Sequence, residues 1–256
     1  MQGLCEALIE RYFDASLEMA FASQDKDEKC VEAFSARNQP IEARASVVAD
    51  WIRLYKINRV KWNASEDDSA ATFADAAAGV ALQYSDAHPS LAPEGVPAAY
   101  AELRNSIGQR YFDISGKDRT FRSLTGKLLW CAYPDSAPIY DDFSSRAVTT
   151  LIRIYKAHKA KDRYNFGLEE EKYNNVKNWE TLPKAKKDAW WYEDFYRSHR
   201  RLFEHFQPVI VHCAAALKDT DIGRAPTTFR LFDKFLWLFG NNDLDYSLLG
   251  TEEKVC

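Results

Sequence analysis

Apolar residues recur at three- and four-residue steps along most of this 256-residue chain, and the two-residue alternation of half-buried strands is absent. Leu4, Leu8, Tyr12 and Leu17 trace one face of a first helix. Pro40 opens a second, in which Val47, Val48, Trp51, Leu54 and Tyr55 repeat at helical steps. Thr72 to Tyr84 is alanine-rich and reads as a packed helix. The sequence HPSLAPEGVP, His88 to Pro97, breaks the period and is too short for a flexible tether, so it reads as a loop between helices. Further helices are predicted over Ala98–Phe112, Arg119–Cys131 and Asp142–His158. A long one follows from about Pro183 to Lys218, with a kink at Pro208, and a last one from Pro226 to Phe239, which Gly240 ends from the C′ position. No repeat, heptad array or low-complexity tract is seen. The expected fold is all-α.

The segment SLTGKLLWCAYPDSAPIYDDFSSRAV, Ser123 to Val148, concentrates the chemistry. Lys127 lies on one helix. Pro134 and Pro138 stop that helix, because a proline ring cannot sit in a helix interior and biases the residue before it towards extended geometry. Asp141 or Asp142 then falls at the start of the next helix, where a carboxylate accepts backbone N–H groups and meets the positive end of the helix dipole. One supersecondary unit thus delivers an amine and a carboxylate to one place. The ordinary roles of such residues are a solvated lysine and a helix cap.

Charge is unevenly spread. Residues 1–110 carry 11 Lys and Arg against 17 Asp and Glu, a balance of −6, whereas residues 111–163 carry 10 against 6, a balance of +4, in a chain whose total is −4. The basic excess comprises Lys117, Arg119 and Arg122 before the central unit and Arg153, Lys156, Lys159, Lys161 and Arg163 after it, residues able to neutralise nucleic-acid phosphates. The same run also fits an ordinary solvated face. Five dispersed cysteines, at positions 5, 30, 131, 213 and 256, have no metal-site spacing and read as reduced thiols of a cytosolic protein. No histidine has a glutamate three residues before it, so a di-iron carboxylate pair is not expected. Neither a secretory leader nor an apolar run of roughly eighteen residues is seen. The expectation is a soluble cytoplasmic monomer without metal, cofactor or membrane.

The run SLTGKLLW, then YPDSAPIYD, then Arg146 five residues after Asp141, resembles the central signature of the helix-hairpin-helix DNA glycosylases, in particular an outlying bacterial branch with an oxoguanine-glycosylase fold. The resemblance implies two packed helical lobes with a cleft and a helix-hairpin-helix-like unit between them. These would form a single domain over 1–256, with an acidic lobe at about 1–110, a catalytic unit at about 111–163 and aromatic-rich helices at about 164–256. It implies that Lys127 and Asp141 are catalytic. Gly116, Lys117, Arg119, Arg122, Thr125, Gly126, Arg153, Lys156, Lys159 and Lys161 would contact DNA. The chain departs from the family in lacking a hairpin with two glycines one residue apart, having single glycines at 116 and 126, and in a shorter interval from lysine to aspartate. These departures favour a monofunctional enzyme over one whose lysine attacks the sugar.

A glycosylase extrudes its target base into an aromatic-lined pocket. The chain has 35 aromatic residues, and Trp130, Tyr140, Trp190 and Trp191 are the candidates for that pocket. The polar stretch Asn165–Lys187 reads as a lid or a surface loop. The expected partner is double-stranded DNA with a modified base: a bulky modified cytosine such as glucosylated hydroxymethylcytosine in phage DNA, or an oxidised purine in a repair role. A helical DNA-binding module without chemistry is the alternative from another class.

Overall fold

The computed structural model describes residues 2–54, 67–158, 184–215 and 226–241, and side chains at 7–54, 71–152, 191–215 and 226–241. The chain is all-α. Its helices are α1 (Gln2–Ser35), α2 (Ile41–Leu54), α3 (Asp67–Ala87), α4 (Val96–Ser115), α5 (Arg122–Ala132), α6 (Asp142–His158), α7 (Lys184–Ala215) and α8 (Thr228–Asn241), with a 3₁₀ turn at Pro93–Gly95. Among the described residues there is no strand.

The chain divides into two compact units. One comprises Met1–Ala22, Asp142–Lys172 and Arg197–Cys256, and the other Ser23–Asp141 and Tyr173–Tyr196. Helices α1 and α7 each contribute to both. The division drawn from charge cuts across these units, because the acidic residues 23–110 and the stretch up to Asp141 fall together.

In the unit holding Asp141, α3 packs against α2, α4 and α5. Small side chains allow this: Ala74, Ala77, Ala78 and Ala81 of α3 are buried beside Phe73 and Leu82. On α2 the buried face is Arg44, Val48, Ala49, Trp51 and Ile52. Val47 and Leu54, expected on the apolar face, are exposed instead. Arg44, on the buried face, pairs with Asp86 of α3 at 2.9 Å through Nη1. Trp51 donates from Nε1 to the Asp27 carboxylate of α1, 3.1 Å away.

The link from α4 to α5 turns on Gly116, whose φ of 66° lies in the left-handed region that a side chain disfavours. The Gly116 N–H returns to the Phe112 carbonyl, which closes α4. Beneath the link, Phe121 packs on Phe73, with ring centroids 4.6 Å apart, and on Tyr111, 4.9 Å away.

In the other unit, α6 packs along α8. Gly240 was expected to end α8 as its C′ residue, but the helix continues through it to Asn241. Gly116 alone among the described glycines has a positive φ. What Gly240 supplies is closeness: a Cβ there would collide with the Phe143 carbonyl oxygen of α6. Phe143 and Trp237 meet edge to face nearby, at 5.2 Å. Helix α7 runs through Pro208 as one element.

Candidate active site

Lys127 sits mid-way along α5 and Asp141 in the residue before α6, with the proline-bounded segment 134–140 between them. The lysine Nζ donates to Asp141 Oδ2 at 3.3 Å and to Ser123 Oγ, one turn earlier on α5, at 2.9 Å. Sequence spacing brings Ser123 and Lys127 to one face of the helix, since residues four apart are neighbours. The fold brings Asp141 to them. The pair is sheltered without being sealed: the side chains keep 18% and 11% of their accessible surface. An amine and a carboxylate so placed can hold a developing cation, orient a water or form a structural ion pair.

An aromatic cluster supports the segment that carries Asp141. The Tyr140 ring meets Tyr100 at 6.0 Å and Tyr192 at 5.5 Å, both edge to face, and lies 4.8 Å from Phe195. Tyr100 and Tyr192 are themselves stacked in parallel, 3.6 Å apart. The Tyr100 hydroxyl donates to the Arg122 carbonyl at 3.3 Å, which ties α4 to the start of α5.

The other expected site residues separate into two groups. Lys117 and Arg119 are exposed on the α4–α5 link, where Arg119 lies 5.4 Å over the Phe121 ring. Arg122 is half-buried and stacks on Trp191 at 4.8 Å, a cation–π contact that the sequence did not suggest. Gly116 is exposed at the turn. Thr125, by contrast, is fully buried, with its hydroxyl donating to the Phe121 carbonyl at 2.8 Å, and Gly126 is buried against Tyr140. In this arrangement both residues, expected to touch DNA, lie in the interior. Trp130 and Tyr140, expected to line a base pocket, are buried in the protein interior, with 4% and 7% of their surface exposed. Arg153 and Lys156 lie on α6 and Trp190 on α7, with side chains outside those described. Lys159, Lys161 and most of the stretch Asn165–Lys187 also fall outside the described residues. Arg146, the arginine that follows Asp141 in the motif, donates to the Gly240 carbonyl at 3.3 Å and so braces α6 on α8.

Polar pairs with a buried member also escaped sequence reasoning. Besides Arg44–Asp86, His199 of α7 and Asp233 of α8 meet at 3.1 Å with almost no exposure. The available signal was a lone carboxylate in the aromatic-rich run FRLFDKFLWLF; its partner is 34 residues away and could not be read off the chain. Among the described residues, no group of three or more His, Cys, Asp or Glu side chains could hold a metal ion, and no helix is long and apolar enough to cross a membrane. Compared with known proteins, the chain matches no family model, no curated protein and no solved structure.

Proposed function

We propose that this chain is a DNA N-glycosylase that excises a modified base and leaves an abasic site. The observation that carries the reading is the sheltered Lys127–Asp141 pair at 3.3 Å, joined by Ser123. Departure of a base places positive charge on the deoxyribose, and a fixed carboxylate beside C1′ stabilises that state or orients the attacking water. Lys127, engaged by two oxygens, holds the carboxylate in place and acts on the leaving base or a phosphate rather than as a nucleophile. Exposed Lys117 and Arg119 would hold the DNA backbone. Trp191, partly exposed and backed by Arg122, is the aromatic face best placed among the described residues to meet a base. A bulky modified cytosine is the proposed target, and an oxidised purine the competing one.

The test is incubation of the full chain with phage DNA carrying glucosylated hydroxymethylcytosine, with an oxoguanine duplex and with unmodified duplex, followed by heat and alkali to reveal abasic sites. Cleavage confined to one modified DNA is expected. Asp141→Asn should lower it by about a hundredfold or more while leaving DNA binding intact. The burial of Trp130 and Tyr140, which takes two candidates away from a base pocket, favours a second reading, a DNA-binding module without chemistry. Binding without cleavage of any of the three DNAs would select it.

A further inference from the structure

Gly126 and Tyr140 immediately precede Lys127 and Asp141 in the chain, and their backbones meet in the interior. A Cβ at Gly126 would lie 2.9 Å from both the Cβ and the N of Tyr140 and 3.2 Å from its carbonyl oxygen. Two of these three atoms are main chain, so no rotamer change relieves the contact. The φ of Gly126 is not positive, since Gly116 alone has that geometry among the described glycines, so the contact and not the backbone conformation calls for glycine here.

We infer that Gly126 is a positioning residue: its missing side chain lets the segment ending at Asp141 lie directly on α5, and that approach brings the carboxylate to the Lys127 amine. A side chain at 126 would push Tyr140 outward. The ring cannot slide to compensate, because Tyr100, Tyr192 and Phe195 hold it. At 3.3 Å the Lys127–Asp141 bond is already long, so an outward shift of about half an ångström takes it beyond hydrogen-bond distance. That Gly126 positions reacting groups rests on the glycosylase reading; that it sets the coupling of Lys127 to Asp141 does not.

A double-mutant cycle tests the coupling in the full chain. Thermal unfolding of the wild type, Lys127→Met, Asp141→Asn and the double variant gives Tm shifts that are non-additive where the two side chains interact. The same cycle is then run in a Gly126→Ala background. Expected are non-additive shifts in the first cycle and a clearly smaller non-additivity in the second, with helical circular dichroism and cooperative unfolding kept. A glycine that merely improved packing would lower Tm and leave the non-additivity unchanged. Non-additivity undiminished by Gly126→Ala, or additive shifts in the first cycle, would overturn the inference. Should Gly126→Ala not fold, the cycle in Tyr140→Ala decides, because that variant removes the ring and keeps the close backbone approach. Non-additivity kept there supports the inference, and its loss assigns the positioning to the ring and overturns it. A wild-type chain that excises no base would defeat the glycosylase reading and leave the outcome of the cycle unchanged.

Discussion

Lys127 donates to both Ser123 Oγ and Asp141 Oδ2, and under the proposed glycosylase reading this engagement bears on which of two mechanisms the residue would serve. A lysine that attacks C1′ must release both oxygens and present a neutral amine, whereas one that holds the carboxylate keeps them. The second course fits the geometry. Borohydride added during turnover should therefore trap no protein–DNA crosslink, and Lys127→Ala should retain measurable excision at a reduced rate. A slowly migrating crosslinked band that vanishes in Lys127→Ala would reassign the lysine as nucleophile. Ser123→Ala, which removes one acceptor and little volume, is the milder probe of the same engagement.

Between elements, α2 and α3 are joined by the Arg44–Asp86 pair, in which Arg44 is buried and Asp86 keeps 32% of its side-chain surface. The hydrogen bond from Arg44 holds the Asp86 carboxyl below the usual carboxylate range, with smaller help from the charges of Arg44 and Arg37 against the opposing effect of burial. A carboxyl depressed on folding contributes stability that is complete above its unfolded pKa and lost as the pH falls through the folded one. Asp86→Asn should cost about 1.5–3 kcal/mol at neutral pH, the range for hydrogen bonds to charged groups, since it strands a buried guanidinium. The variant should also lose less stability than the wild type between pH 5 and pH 2, limits that bracket an ordinary carboxylate of roughly 4. Chemical denaturation at several pH values measures both effects; parallel wild-type and variant curves would show that the pair does not govern acid sensitivity. Gly79, within α3, provides the contrast to Gly126, because a Cβ there would meet nothing within 4 Å. Gly79→Ala should raise stability by about 0.5–1 kcal/mol, as expected for a helical glycine with open space beside it. A fall in stability would mean that the folded chain does not accommodate the added methyl group.

Across the whole molecule, the balance of −6 over residues 1–110 and +4 over residues 111–163 gathers positive charge in one part of a protein with an acidic total. Lys117 and Arg119 are the exposed basic residues of the α4–α5 link. If they touch phosphates, replacing both with alanine should weaken binding to every duplex alike, whatever its base modification. The dependence of log affinity on log salt should become shallower by roughly 0.9 for each phosphate that is no longer neutralised. An unchanged slope would return the two residues to the role of an ordinary solvated surface.

The helical class was legible because a 3.6-residue period needs no knowledge of what the apolar face meets. Pro134 and Pro138 likewise mark the break after α5 by local sterics alone, and Lys127 and Asp141 could be named as candidates from the motif around them. Finer details depended on partners distant in sequence. On α2, Arg44 is buried against Asp86, 42 residues further on, whereas Val47 and Leu54 face outward against expectation. Gly240 looked like a helix terminator because glycine favours that position, yet its use is to admit the Phe143 backbone, a contact that no local pattern encodes. Thr125 and Gly126, which the family resemblance implied would touch DNA, are buried, because what covers a face of α5 is set by elements distant in sequence. The chain by itself determined where its helices form and which residue types could do chemistry. The sequence expected Lys127 and Asp141 in one place, and only the tertiary structure set their separation of 3.3 Å, because a contact across fourteen residues depends on how closely two backbones can pack.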